Sequence, residues 1–378
     1  MFKPTPMQEK AINARGNVLV AAAAGSGKTA VLTERVIKML SKKQNPVSAD
    51  RLLIVTFTNA AAAEMRSRIE KRLFEECRLH PDDVGLLKQK QLISGADICT
   101  IDSFCINLVR ENFEKCGVSP DFKVGNTGIL DTLAQRVMSE ITAPLFAEQS
   151  DEFKTLLELT SCDNDERSLT EAITKVFLYS RQLPFPERFI KRFEKPYYIP
   201  FSKGHPWYDN AFEAAREYIG FLKQSIESIV DLSACVSDGA DGYIAFAEKA
   251  SFIVGGIENE ISKKDWDSLR ALLASVKYPN LPSSKVKGDP AIDSIKAIKA
   301  SLKKDTDELF EIFSQSVVDI QKDIDFQRGA VSLFCSLVDE YSEKLFDAYN
   351  EADNFDFYNT EQLALNLLCT CDENGKIS

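Results

Sequence analysis

One short segment constrains this chain more than any other. Ala22-Ala23-Ala24-Gly25-Ser26-Gly27-Lys28-Thr29 follows an apolar run and precedes a helix-patterned stretch. The frame is [Ala/Gly]-x4-Gly-Lys-[Ser/Thr], a Walker A loop with alanine at its first glycine position. Small residues let successive backbone N–H groups turn inward and surround phosphate oxygens. The N-terminus of the following helix adds partial positive charge. Lys28 can reach the β- and γ-phosphates, and the Thr29 hydroxyl can ligate Mg²⁺. Average residue usage predicts roughly 0.03 accidental matches to this frame in a chain of this length.

The flanking pattern sets the expected fold. Residues 17–24 and 52–57 are short apolar runs without polar alternation, as buried parallel strands are. Residues 97–101 supply a third strand. Apolar positions at 31, 32, 36, 37, 39 and 40 predict a helix after the loop, Asn59 opens an alanine-rich helix to Arg72, and Ser103 starts another. Strand and helix alternate, which predicts right-handed crossovers and a doubly wound α/β sheet. The character changes near residue 125. From Leu130 to about Glu351 helical periodicity dominates, broken by Pro- and Gly-bearing stretches at 183–186, 196–206 and 279–290. The expected organisation is an α/β domain of residues 1–125 plus 340–378, interrupted by a mainly helical insert of residues 126–339.

Charge and composition narrow the chemistry. The chain has 378 residues and a net charge of −11, and at roughly 100–200 residues per domain it holds two or three domains. Residues 1–125 carry 19 Lys+Arg against 14 Asp+Glu, a net +5, while the remainder carries 27 against 43, a net −16. A basic N-terminal third on an acidic body permits a local anion-binding surface. Nine cysteines at irregular spacing and two distant histidines, His80 and His205, offer no zinc or heme ligand set. Reduced thiols and a cytoplasmic location are the expectation. No apolar run approaches the roughly 18 residues of a membrane span, and no secretory h-region opens the chain.

Three further segments carry polar groups to the predicted site. Gln8 precedes the loop, and a glutamine amide can read both N6 and N7 of adenine. Phe57-Thr58-Asn59 follows the second strand, and Thr100-Ile101-Asp102-Ser103-Phe104-Cys105 follows the third. Thr58, Asn59, Thr100 and Ser103 can cap the following helices. They also face the C-terminal sheet edge, where α/β folds bind ligands and a nucleic-acid phosphate would find short polar donors. Phe104 reads as core. The stretch 263–304 has 10 Lys+Arg against 4 Asp+Glu, with Trp266 and Tyr278. It permits duplex contact through clustered cations such as Lys285 and Lys287, though a solvated helix surface explains the charges more simply.

Taken in order and spacing, Gln8, 22–29, 57–68 and 100–105 resemble the Q motif and motifs I, Ia and Ib of UvrD/Rep-like superfamily 1 DNA helicases. Within that superfamily the chain is most similar to the AddA family of helicase–nuclease subunits, relatives of RecB. The points of similarity are Ala22-Ala-Ala-Gly-Ser-Gly-Lys-Thr-Ala-Val-Leu32, Thr100-x-Asp-Ser-Phe-Cys105, Asp356-Phe357-Tyr358-Asn359 and Leu363-Ala-Leu-Asn-Leu-Leu368. The resemblance implies a RecA-like ATP-binding domain with a 1B-like helical insert. It implies ATP and Mg²⁺ as cofactors, with Gln8 at the adenine and Ala22, Ala23, Ala24, Gly25, Ser26, Gly27, Lys28 and Thr29 at the phosphates. Phe57, Thr58, Asn59, Thr100, Asp102 and Ser103 would line a single-stranded DNA track. The implied partners are single-stranded DNA, duplex DNA and an AddB-like protein. Double-strand break repair and recombination are the implied setting. Two positions depart from the pattern. Ala30 stands where UvrD and Rep carry Arg, and Asp102 stands where many relatives have His.

Hydrolysis also needs an acidic pair on a buried strand. The candidate at 337–341, Leu-Val-Asp-Glu-Tyr, instead reads as helix: Leu333, Leu337, Tyr341 and Leu345 recur every four residues, which puts Asp339 and Glu340 on the solvent side. No arginine finger, second RecA-like domain or nuclease motif is found. The chain therefore reads as an N-terminal piece that binds nucleotide without efficient turnover. Two rivals remain: a small-molecule P-loop kinase or other ATPase, which explains Gly25–Thr29 but not the paired polar strand ends at 57–59 and 100–104, and a non-catalytic DNA-binding scaffold that keeps a relic loop.

Overall fold

The computed structural model describes residues 3–23, 25–42, 46–160, 166–237, 239–283, 288–370 and 377. The chain divides into two compact units, one of Met1–Val137 with Lys344–Ser378 and one of Met138–Glu343. The unit boundaries fall inside two helices.

The first unit begins with α1 (Pro6–Asn13), capped by Thr5 in a reciprocal capping box with Gln8. α2 (Lys28–Leu40) starts directly after the loop and buries Val36, Ile37 and Leu40. β1 (Leu53–Thr56) runs into α3 (Asn59–Leu79), whose buried Met65, Ile69, Leu73 and Cys77 recur at helical spacing. α4 (Val84–Leu92) then leads to β2 (Asp97–Thr100), α5 (Ile101–Glu111) and α6 (Phe113–Cys116). β3 (Lys123–Val124) closes the first pass. β1 and β2 are parallel, with Leu53 opposite Asp97 and Thr56 opposite Thr100. The crossover between them is α3 and α4. α2, α3, α4 and β2 share one apolar core that includes Leu40, Ile69, Leu73 and Ile98.

The sheet differs from the sequence expectation. Among the described residues there are two separate two-stranded parallel sheets, β1–β2 and a second formed by β3 and a later strand, and not one doubly wound sheet. Residues 17–23, read as a buried strand, have no strand conformation, and Ala24 lies outside the described residues. Leu19 is 95% exposed, and Val18 and Val20 are also exposed. The physical reason is pairing: an apolar run becomes a strand only beside a hydrogen-bonding neighbour, and no described strand lies along this one. The helices are longer than the spacing implied, since α3 continues seven residues beyond Arg72.

α7 (Thr127–Glu148) leads into the second unit, whose regular elements among the described residues are all helices. α8 (Asp151–Thr160), α9 (Glu166–Ser180) and α10 (Pro186–Glu194) come first. α11 (Pro206–Ser233), α12 (Ala240–Lys263), α13 (Trp266–Ser275) and α14 (Pro290–Ile312) follow. α11 packs on both α12 and α14. At one end an aromatic cluster seals the bundle: Trp266 lies 4.5 Å from Phe313 and 5.0 Å from Phe201, ring centre to ring centre. The Trp266 indole N–H donates to the Gln315 carbonyl at 2.9 Å. His205 is fully buried and accepts from the Trp207 N–H through Nδ1, so its Nε2–H donates to the Pro196 carbonyl at 3.0 Å. It caps α11 with both ring nitrogens engaged; among the described residues no cluster of three His, Cys, Asp or Glu side chains could hold a metal ion.

The chain leaves this unit along α15 (Val317–Glu351). β4 (Asn354–Phe355) pairs in parallel with β3, and α16 (Phe357–Leu368) follows, capped by Asp356 with Asn359. The segment 337–341 is therefore helix, as its four-residue repeat implies. Asp339 and Glu340 are half-buried, however, and not on the solvent face. Burial, with Glu343 close by, raises the Asp339 carboxyl above its usual range. Cys335, one turn earlier, is buried, and desolvation with Glu194 and Asp339 nearby pushes its thiol up to about 12. Thiolate, the reactive form, is then scarce at neutral pH. Iodoacetamide on the native chain is expected to label exposed Cys235 and to spare Cys335 until denaturant is added, read by peptide mass spectrometry.

Candidate nucleotide and nucleic-acid site

The loop is built from two left-handed glycines. Gly25 has φ +77° and Gly27 φ +84°, a region that costs a non-glycine residue about 1 kcal/mol or more. Gly27 is the N-cap of α2 and its carbonyl accepts from the Val31 N–H at 3.0 Å. With no side chain at the cap, the first N–H groups of α2 point to the loop mouth uncovered by a capping oxygen. Lys28 curls back over the loop, and its Nζ donates to the carbonyls of Ala22 at 2.7 Å and Ala23 at 2.8 Å. The ammonium thus sits where a loop-bound phosphate could exchange with those two carbonyls as acceptor. Thr29, the second residue of α2, is half-buried beside it.

Gln8 stands against the same loop. Its Nε2 donates to the Ser26 carbonyl at 3.0 Å, and its Oε1 accepts from the Thr5 N–H at 2.9 Å. A Cβ on Gly27 would come within 3.2 Å of that Nε2. Glutamine and glycine are therefore a matched pair, and Gln8 fixes α1 to the loop while its amide faces a cavity of about 610 Å³. Met7, Ala11, Val18 and Val31 give that cavity apolar walls, with Lys28 at its edge. Such walls and a few placed polar groups suit a nucleobase.

The strand register brings the other two motifs together. Thr56 and Thr100 are partners at the C-terminal ends of β1 and β2, and adjacent strands lie about 4.8 Å apart. Thr58 caps α3, its hydroxyl accepting from the Ala61 N–H at 3.2 Å. Thr100 caps α5 in the same manner, accepting from Ser103 N–H at 3.2 Å, with its hydroxyl 2.8 Å from the Ser103 hydroxyl. Phe57 is 98% exposed and Asn59 is exposed beside it. Thr100 is buried, so its part is to shape the tip; Ser103 and Asp102 are half-buried. Cys105 is buried and Phe104 is half-buried.

Asp102 has acidic company. Glu361 of α16 is raised above the ordinary carboxyl range by burial, by Asp102 and by Asp356. Sequence spacing gave no sign of Glu361, because 258 residues of chain lie between it and Asp102. A carboxyl with a raised folded pKa adds stability below its unfolded value, 4.5 here, and that contribution is lost as pH rises through the folded value. Glu361→Gln is accordingly expected to raise the thermal midpoint at neutral pH and to leave it nearly unchanged near pH ~4, as differential scanning calorimetry would show.

A glycine loop opening a helix, with parallel strand tips carrying short polar residues, defines the class of phosphate-loop α/β domains. The UvrD/REP helicase N-terminal domain model matches residues 5–354, and the chain belongs to that family. It is 31% identical over 392 residues to the ATP-dependent helicase/nuclease subunit of Thermoanaerobacter sp. (strain X514), covering 100% of this chain and 31% of the relative. It is 30% identical over 376 residues to the protein of that name from Exiguobacterium sibiricum, covering 98% and 31%, and 32% identical over 378 residues to that from Clostridium novyi, covering 97% and 30%. The chain spans less than a third of the length of these curated relatives. Family membership implies a RecA-like P-loop fold. No helix among the described residues is long and apolar enough to cross a membrane.

Proposed function

We propose that this chain is the N-terminal ATP- and DNA-binding part of an AddA-type protein, an ATP-dependent DNA helicase and nuclease that acts in double-strand break repair and recombination. The observation that carries the reading is the parallel register of β1 and β2, which sets the 57–59 and 101–103 segments side by side in the same unit as the Lys28 loop. In this reading residues 1–125 and 340–378 are part of a RecA-like domain, and residues 126–339 are its 1B-like helical insert. The whole protein works in the cytoplasm with an AddB-like partner, which the word "subunit" in the relatives' name supports.

The geometry supports a division of labour. Backbone N–H groups of residues 25–29 and the start of α2 hold the triphosphate; Ala22, Ala23 and Ala24 form the loop's approach, Ala24 lying outside the described residues. Lys28 trades its two carbonyl acceptors for β- and γ-phosphate oxygens, a charge-assisted bond. Thr29 would ligate Mg²⁺, which when bound neutralises charge on the same oxygens. Gln8 keeps the loop closed and orients the adenine. Phe57 offers a face for base stacking, with Thr58, Asn59 and Ser103 near the phosphates. Asp102, beside Glu361, repels phosphate and favours the N–H edge of a base. Among the described residues the acidic pair Asp339-Glu340 lies within α15 and not on a strand. Nucleotide binding without efficient turnover is the reading for this chain.

The helical unit does not favour duplex contact. Trp266 is buried and Tyr278 is half-buried with its hydroxyl on Thr306. Lys263, Lys264, Lys296 and Lys304 pair with Glu260, Asp209, Asp293 and Glu308. Lys285 and Lys287 lie outside the described residues.

Titration with fluorescent ATP and Mg²⁺ is expected to saturate, and Lys28→Ala to weaken binding at least about tenfold. Turnover equal to an intact helicase, lost in Lys28→Ala, would contradict the non-hydrolysing reading. Phe57→Ala is expected to cost about 1–3 kcal/mol in single-strand affinity, measured by anisotropy of a labelled oligothymidylate; unchanged affinity would remove the DNA track from the strand tips.

A further inference from the structure

The two half-sites of the first unit sit at the N-terminal ends of two neighbouring helices. α2 begins at Lys28 in the nucleotide loop, and α3 begins at Asn59 at the strand tip. Between them stands one polar junction in an otherwise apolar contact. Arg72 of α3 donates through Nε to Glu34 Oε1 of α2 at 2.7 Å and through Nη2 to Glu34 Oε2 at 3.5 Å. The same guanidinium holds Glu76 at 2.6 Å, which fixes it on its own helix. The three side chains are only 19%, 21% and 16% exposed. Burial alone would lower the Arg72 pKa, and the bonds to Glu34 and Glu76 outweigh it, so the fork stays charged and engaged. A cavity of about 250 Å³ borders the pair, so apolar packing does not lock it on that side.

Both helices are tied at further points by arginines. Arg35, next to Glu34, donates to the Ala11 and Ala14 carbonyls at 2.8 and 2.7 Å and so holds the end of α1, the helix that carries Gln8. Arg66 of α3 donates to the Ala96 carbonyl at 2.9 Å, just before β2. The fork therefore joins an adenine-side group, α1 with α2, to a DNA-side group, α3 with β2. Glu34 lies six residues from Lys28 and Arg72 thirteen from Asn59, about 9 and about 20 Å along their helices. A small tilt of α2 on nucleotide binding would be magnified at the strand tip.

We propose that Arg72, with Glu34, is a positioning residue that couples nucleotide binding at Lys28 to single-strand binding at the β1 and β2 tips, without touching either ligand. The proposal rests on the functional reading above and adds its coupling element. The bidentate fork transmits orientation as well as distance, which a lysine cannot do.

The test is a thermodynamic cycle on the 378-residue chain. Affinity for fluorescent ATP with Mg²⁺ is measured with and without saturating oligothymidylate, and the ratio is the coupling factor. Wild type is expected to give about fivefold or more, with the reciprocal change in oligonucleotide affinity. Glu34→Gln and Arg72→Met are each expected to bring the factor below about twofold, the double variant no lower, with nucleotide affinity in the absence of DNA changed less than about twofold. Arg72→Lys should fall between. Glu34→Gln keeps size and shape, so the test survives if Arg72→Met fails to fold; melting curves check each variant. A merely structural fork would lower the melting point and leave the factor intact, which overturns the proposal. A wild-type factor of one, with both ligands binding, also overturns it while sparing the functional reading. Failure of wild type to bind either ligand overturns both.

Discussion

The site rests on a single register. Thr56 faces Thr100 because β1 and β2 are parallel and in step, so both strands end at the same height and both chains turn into helices there. Shifting one strand by a residue would put one tip about 3.3 Å out of line and reverse its side chains. The register is set by what lies behind it. Ile98 goes inward to join Ile69, Leu73 and Leu40 in the α2–α3–α4 core, and Arg66 pins the approach to β2. Thr100 serves twice, ending β2 as a β-branched residue and capping α5 with its hydroxyl, while at the other tip Thr56 ends β1 and Thr58 caps α3.

The loop shows a related economy. Two glycines at positive φ bend the backbone, and Gln8, itself half of a capping box, donates to the loop from outside. Lys28 is held by the carbonyls of the loop it serves. A cation proposed to meet a phosphate is thus ordered before any ligand arrives, which lowers the cost of ordering it on binding.

The helical unit is stable for other reasons. Its long helices bury one face each around Trp266, Phe212 and Phe313, and its charges pair on the surface at spacings of three and four residues. Aromatic residues among lysines permitted a nucleic-acid contact in the sequence, yet Trp266 is core, Tyr278 packs against that core, and Lys263, Lys264, Lys296 and Lys304 have carboxylate partners. Composition counts residues in a window, while only the helix phase decides which of them face water.

The sequence by itself determined the loop, the helices α2, α3 and α5 and the polar caps at 58 and 100, because each is local: a spacing, a cap or a run of one period. It also gave the correct helix for 337–341, since a four-residue repeat has one regular solution. Tertiary structure alone decided the rest. Residues 17–23 stay exposed with no described strand beside them, Asp339 is half-buried, Thr100 is enclosed, and Asp102 meets Glu361 from the far end of the chain. Pairing, burial and electrostatic company depend on which distant segments arrive beside a residue, and no local pattern carries that information.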